Sequence, residues 1–480
     1  MENQSALFTD FYSLTMAQGY WKKGMKGRAI FEMSFRRQPF GGGFSIFAGL
    51  EPLLEKIRVF SFSAEDVDYL RSLNTFEEGF LDCLKKFRFS GSLYALDEGR
   101  VVFPGEPLIR VDGGLIECQI LEGMILNIIN FQSLIATKTA RVWLATDKGP
   151  VMEFGLRRAQ GPDGAMSASR AAFIGGASGT SNVLAGKTYG IPVLGTMAHS
   201  WIMAFPSEEE AFEAYAEIFP KFPVFLIDTY DTLKSGILNA IKVGKKLAEK
   251  GINFGVRLDS GDIDYLSQEV RRLLDEAGLN DAKISVSNDL DESIIRTLTN
   301  AGAPINSWGV GTRMVTGGED AAFTGVYKLT AKEDGKGRLV PAIKFSDNPE
   351  KTTTPGMKQA WRIKDEHGMA VTDVLSLDEE GDTLKTGMRY SFWHPSADYR
   401  RFYHTMNGPA EPLLKLKMKN GESVVSHPSL EEVKRLVRED LESFDQSYKR
   451  LLNPHIYKVS ITEKLHSIKL ELIKNYLGEL

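Results

Sequence analysis

The chain has 480 residues, 42% hydrophobic and 25% charged, and its 58 basic against 63 acidic side chains leave a formal net charge of -5. This is the balance of an ordinary soluble globular protein long enough for a large core, and without a basic tail to neutralise phosphates it argues against duplex nucleic acid as the partner. Two cysteines, Cys83 and Cys118, without metal-ligand spacing exclude a disulfide framework and a cysteine zinc site and fit a reducing cytosol.

With no apolar core near the N-terminus and no apolar run longer than that from Ile191 to Phe205, neither a secretion signal nor a membrane span is expected, and the reading is cytoplasmic. Residues 1–145 read as an N-terminal α/β domain. Ser63-Ala-Glu-Asp66 and Thr75-Phe-Glu-Glu78 carry capping-box patterns, and Phe76, Phe80, Leu84 and Phe87 recur at helical spacing as core contacts. Short apolar runs at 92–95, 101–103 and 108–111, with Pro-Gly-Glu-Pro between the last two, predict a small β-meander.

Residues 146–330 are periodic. Apolar runs begin at Val151, Ile191, Val224, Phe254, Lys283 and Ser307, at intervals of 40, 33, 30, 29 and 24 residues, with helical segments between them. Ser207 is placed to cap one of those helices, and Gly278 and Gly302 to close two others. Six strand–helix units in a row predict a parallel sheet covered on both faces, and the lack of GxGxxG after the first run favours a (β/α) barrel over an open sheet. Residues 331–480 read as a separate C-terminal module. AKEDGKGRL and DEHGMAVTD suggest hairpins, and a Ser429 cap opens a long amphipathic helix running through Leu436, Phe444 and Tyr448 to Pro454. Six of the seven histidines lie there without metal-like spacing.

In such folds chemistry collects beyond the C-terminal ends of parallel strands. Here those ends read Glu153-Phe-Gly-Leu-Arg-Arg158, Gly195-Thr-Met-Ala-His-Ser200, Asp228-Thr-Tyr-Asp231, Arg257-Leu-Asp-Ser-Gly-Asp262, Ser287-Asn-Asp289 and Gly309-Val-Gly-Thr-Arg313. GASGTSN (176–182), RLDSGD (257–262) and GVGTR (309–313) are turns of the kind that present backbone N–H groups to phosphate, and Arg157, Arg257 and Arg313 stand nearby. Together they point to a sugar phosphate, with Asp228, Asp259 and Asp289 holding Mg²⁺ indirectly or binding ribose hydroxyls. His199, the only histidine in the first 366 residues, follows a strand directly and suits either a general base or a nucleophile.

These segments resemble the nicotinate phosphoribosyltransferases. The resemblance runs through TDFYSLTMAQGYW (9–21), FGGGFSIFAGL (40–50), EFGLRRAQG (153–161), GTMAHSW (195–201), IDTYDT (227–232), GVRLDSGD (255–262) and GVGTRMVT (309–316), and covers roughly the first 330 residues. It implies an N-terminal α/β domain, an incomplete (β/α) barrel and an additional C-terminal domain. It also implies formation of nicotinate mononucleotide and pyrophosphate from nicotinate and phosphoribosyl pyrophosphate, with ATP as co-substrate and Mg²⁺ as cofactor, in a homodimer with shared active sites. By the same resemblance His199 is the histidine phosphorylated by ATP. Tyr12, arriving from the partner subunit, and Phe154 sandwich the pyridine ring, and Arg157, Thr180, Ser181, Thr196 and Arg257 complete the nicotinate pocket. Asp228, Asp259, Ser260, Gly261, Asp289, Gly309, Gly311, Thr312 and Arg313 surround the phosphoribosyl pyrophosphate, with Mg²⁺ reached through Asp228 or Asp259.

The chemistry suits this assignment. A flat, electron-poor ring with one carboxylate calls for an aromatic sandwich and an arginine fork, and an oxocarbenium-like transition state calls for positioning and charge stabilisation. Nicotinamide-using relatives carry an Asp where this chain has Ser181, and an Asp there would repel a substrate carboxylate. Two other readings predict different residues. A barrel aldolase or isomerase using Asp259 or His199 as proton shuttle would favour a lysine at a strand end, and none of the six ends has one; a non-catalytic nucleotide sensor would have lost His199 or the Arg257/Asp259 pair, and both are present.

Overall fold

The computed structural model describes residues 5–348, 351–381, 383–397 and 399–478, so the first four residues of the N-terminal stretch read above lie outside it. The chain forms two compact units, residues 135–321, and residues 1–134 together with 322–480. The first and last of the three sequence segments therefore share one unit.

In the 135–321 unit six strands form an all-parallel sheet: β1 (Val151–Glu153), β2 (Gly179–Thr180), β3 (Val224–Leu226), β4 (Gly255–Leu258), β5 (Lys283–Val286) and β6 (Ser307–Val310). Their order is β2-β1-β6-β5-β4-β3, which leaves β2 and β3 as the two edges of an incomplete barrel. Five of the six apolar runs are strands. The run at Ile191 is not: it contributes one parallel bridge, Val193 to Thr180, and the strand in its place is the two-residue β2. Pro192 has no N–H, so this segment is limited to a Thr180 N–H bond to Pro192 O and a Leu194 N–H bond to Thr180 O.

Helices between the strands start and stop where their caps stand. Ser207 accepts from Glu210 N–H before the helix Glu208–Ile218, Asp262 accepts from Tyr265 N–H before Ile263–Glu276, and Asp291 caps Glu292–Asn300. Gly278 and Gly302 follow the last two with φ of 80° and 75°.

In the other unit an antiparallel seven-stranded sheet runs Leu339–Pro341, Gly325–Glu333, Arg28–Phe35, Ile109–Gly114, Ser92–Ala95, Lys415–Lys419, Glu422–Ser423, interleaving the two ends of the sequence. The expected meander is not formed, because Val101–Val102 leaves this sheet and pairs with Ser45–Ile46. Both expected hairpins are present, at 325–341 and 358–377. Two cap readings change. The Ser63 box is formed, but Thr75 caps nothing and the next helix, Glu78–Lys85, begins after Glu77. The helix from Ser429 ends at Glu442, and Asp445 caps a separate short turn, Gln446–Lys449.

Buried charge binds the N- and C-terminal segments of this unit together. Arg362, fully buried, pairs with Asp373 at 2.8 Å and Asp440 at 3.0 Å and donates to Val101 O, while Arg100 pairs with Asp440 at 2.8 Å and Tyr457 donates to Asp373 at 2.9 Å. The Arg362 guanidinium also lies over the Phe444 ring, 4.8 Å from its centroid.

Candidate active site

The strand ends of the parallel sheet bring one group of predicted residues into direct contact. His199 opens the short helix His199–Met203, and its Nδ1 lies 3.1 Å from Thr229 Oγ1, just after β3. Its Nε2 faces Asp259 Oδ2 at 3.7 Å, just after β4. Asp259 Oδ1 accepts from Ser287 Oγ after β5, and its backbone N–H donates to Asp228 Oδ2 at 2.9 Å. Ser260 Oγ donates to the same Asp228 oxygen at 2.6 Å. Three strand ends, those of β3, β4 and β5, thus meet the segment that carries the imidazole. Thr229 and Ser287 were not singled out from sequence, since a hydroxyl next to a strand-end aspartate gives no signal until its partner is known.

Arg257, the third residue of β4, points across to the segment before His199. It donates to Thr196 Oγ1 and to Met197 O, both neutral acceptors, and its Nε is buried without a hydrogen-bond partner. Burial holds this guanidinium below the ordinary arginine value, Asp259 and Asp228 pull it back up, and Arg157 pushes it down. Buried positive charge with an unspent donor is a receptor for a carboxylate.

A second cluster forms around Phe154. Its N–H donates to Val310 O at 2.9 Å, and a Cβ on Gly309 would stand 2.7 Å from its ring. Gly309 therefore lies inside β6 and makes room for the ring. Glu153, 1% exposed, accepts from Gly155 N–H, from Ser169 Oγ at 2.9 Å and from Thr180 Oγ1 at 2.5 Å. Thr180 also accepts from Asn182 N–H, so its hydroxyl is fully engaged within the fold at 1% exposure. Ser181 donates its N–H to Glu153 O and is half-buried, with no partner for its hydroxyl.

The three glycine loops differ in what they leave free. In GASGTSN the N–H groups of Gly176, Ala177, Ser178, Thr180, Ser181 and Asn182 are spent within the fold, which corrects the reading of that loop as a phosphate cradle. Ser260 and Gly261 keep N–H groups without acceptors, Gly261 at φ 78°, as do Thr312 and Arg313 after Gly311. Asp289, Arg157 and Arg313 are exposed and bonded to none of these groups, and Asn288 carries φ 127°. Tyr12 belongs to the other compact unit; it is 47% exposed, and its phenol is pushed up to about 12 by burial and by Glu122. Among the described residues no three His, Cys, Asp or Glu side chains group to hold a metal. Asp228 Oδ1 is buried without a partner and is free to face a cation's water or a sugar hydroxyl.

Comparison with known proteins decides the family. Residues 150–373 match the nicotinate phosphoribosyltransferase family model, residues 7–130 its N-terminal domain and residues 357–469 its C-terminal domain. The chain belongs to the nicotinate phosphoribosyltransferase family. The nicotinate phosphoribosyltransferase of Bacillus subtilis (strain 168) is 43% identical over 477 residues, 98% of this chain and 96% of its own. That of Homo sapiens is 35% identical, covering 96% and 95%. The crystal structure of human nicotinic acid phosphoribosyltransferase superposes with a TM-score of 0.84 at 32% identity, over 97% of this chain and 99% of that one. Nicotinate-nucleotide pyrophosphorylase from Pyrococcus furiosus, at 23% identity and a TM-score of 0.70, shares the fold. A C-terminal third that carried no recognisable motif is thus also part of the nicotinate phosphoribosyltransferase pattern.

Proposed function

We propose that this enzyme transfers the phosphoribosyl group of phosphoribosyl pyrophosphate to nicotinate and couples the transfer to ATP through His199. The observation that carries the reading is the convergence of Asp228, Arg257 and Asp259 from neighbouring strands with His199, whose Nδ1 meets a hydroxyl, while Arg257 keeps an unspent donor and bonds the segment that leads into His199.

In this account the nicotinate carboxylate is held by Arg257, oriented by Thr196, and the ring lies on Phe154. Ser181 brings no negative charge to that pocket, which suits an acid substrate. The pyridine nitrogen attacks C1 of the ribose as pyrophosphate leaves, so no general base is needed. Asp228, Asp259, Asp289 and the free N–H groups of Ser260, Gly261, Thr312 and Arg313 bind the ribose and its phosphates, with Gly311 shaping the last turn. Mg²⁺ would be held by Asp228 and the substrate pyrophosphate, with water completing its shell, and would neutralise charge on the leaving group. His199 attacks the γ-phosphorus of ATP, ADP departs, and water later cleaves the phosphohistidine to phosphate.

Tyr12 is assigned to the ring's other face in a homodimer with shared active sites. Supporting this, Tyr12 belongs to an exposed apolar group with Phe8, Phe11 and Met16, the kind of surface a second copy covers. No helix among the described residues is long and apolar enough to cross a membrane.

Purified protein with nicotinate, phosphoribosyl pyrophosphate, Mg²⁺ and ATP is expected to release pyrophosphate and nicotinate mononucleotide in equal amounts; turnover of nicotinamide with none of nicotinate would refute the acid assignment. In the same assay Arg257→Leu is expected to raise the nicotinate KM about 10- to 100-fold, equivalent to about 1.4–2.7 kcal/mol, with a smaller change in the KM for phosphoribosyl pyrophosphate.

A further inference from the structure

Glu153 ends β1, is 1% exposed and has no cationic partner among the described residues, an expensive way to use a carboxylate if stability alone were served. Its two oxygens receive three neutral donors: Gly155 N–H, Ser169 Oγ from the helix Gly161–Ile174, and Thr180 Oγ1 from β2. Each donor leads to the pocket wall.

The bond from Gly155 fixes the turn that carries Phe154, and a Cβ on Gly155 would stand 2.2 Å from Val315, so this turn has no slack. The bond from Thr180 continues through Asn182 N–H to Thr180 Oγ1 at 2.9 Å, and Asn182 Oδ1 accepts from Ala185 N–H. Asn182 Nδ2 closes the ring of bonds on Ser169 Oγ at 3.3 Å. Meanwhile the backbone carbonyl of Glu153 accepts from Ser181 N–H at 2.9 Å. One residue therefore fixes both the aromatic shelf and the segment that faces the substrate's carboxylate or amide.

We infer that Glu153 is the positioning residue of the nicotinate pocket, acting through Phe154 and Ser181 on affinity for nicotinate and on its preference over nicotinamide. This rests on the reading above that Phe154 and Ser181 face the pyridine. Glutamate is suited to the place because an ionised carboxylate only accepts. Glutamine has the same shape, but its NH₂ only donates, so the Ser169 and Thr180 hydroxyls that face it must turn from donors into acceptors and the bonds that tie the Phe154 turn to β2 are rearranged.

The test is steady-state kinetics of the full-length enzyme carrying Glu153→Gln. The expected result is a nicotinate KM raised about tenfold, a lowered ratio of nicotinate to nicotinamide kcat/KM, and a phosphoribosyl pyrophosphate KM and ATP-dependent labelling of His199 within about twofold of the parent. If all of these decline in parallel, or none moves, the assignment is overturned. Should Glu153→Gln fail to fold, Ser169→Ala and Thr180→Val each remove one donor and leave the carboxylate; each is expected to raise the nicotinate KM alone, and unchanged KM values in both would overturn the assignment. Phe154→Ala separates the two levels: if it leaves the nicotinate KM unchanged, the pocket itself is misplaced, whereas a raised KM there with a parental Glu153→Gln overturns only the role of Glu153.

Discussion

His199→Ala is expected to abolish the stimulation of phosphoribosyl transfer by ATP while leaving a slower, ATP-independent transfer. The two activities separate because the proposed function uses the imidazole only in the phosphoryl step and assigns nicotinate to Arg257, Thr196 and Phe154. A loss on the order of 100-fold in the ATP-supported kcat/KM corresponds to about 2.7 kcal/mol of transition-state stabilisation. Parallel assays with and without ATP read the effect directly, and a His199→Ala enzyme stimulated as strongly as the parent would show that another residue receives the phosphoryl group. Thr229→Val gives a finer contrast. It keeps the imidazole but removes the hydroxyl 3.1 Å from Nδ1, so ATP stimulation is expected to weaken without disappearing.

Arg362→Ala is expected to be the most destabilising single change in the unit formed by the two ends of the chain. It leaves Asp373 and Asp440 facing each other's buried surroundings without their shared cation, and it strips Val101 O of its donor. Breaking a buried pair in this way costs about 3–5 kcal/mol. Burial alone would lower this guanidinium's affinity for its proton, but Asp373 and Asp440 outweigh it and hold the group well above its ordinary value. A fall in the denaturant midpoint of that unit, followed by near-ultraviolet circular dichroism, checks the expectation; an unchanged midpoint would mean that the network is not a determinant of stability.

Much of the 135–321 unit was legible because parallel strands covered on both faces read as continuous apolar runs, and five of the six such runs are strands. The exception has a physical cause. Pro192 cannot donate, and the strand that replaces its segment, Gly179–Thr180, is too short and too polar to leave an apolar trace. Glycine was the less reliable signal. GASGTSN has the composition of a phosphate loop, yet its N–H groups are consumed locally, and Gly309 serves the Phe154 ring instead of a phosphate. Residues that act through a bond to a distant partner, such as Glu153 and Thr229, were hidden, since those partners lie 16 to 30 residues away.

The union of the chain's two ends was hidden for a related reason. Ala29 pairs with Lys332 across the seven-stranded sheet, and Arg100 with Asp440, separations that no local pattern reports. The amphipathic pattern after Ser429 likewise continues through a break at Ser443, because Phe444 and Tyr448 still pack on Tyr457 after the chain has left the helix.

The phosphorylated histidine is the claim on which ATP coupling depends, and mass spectrometry of the intact enzyme tests it most directly. After brief exposure to ATP and Mg²⁺ in cold, neutral buffer, one phosphate is expected on the peptide containing His199, and it is expected to be discharged when nicotinate and phosphoribosyl pyrophosphate are added. A phosphate on any other residue, or an unmodified His199 in an enzyme that hydrolyses ATP while making nicotinate mononucleotide, would contradict the account.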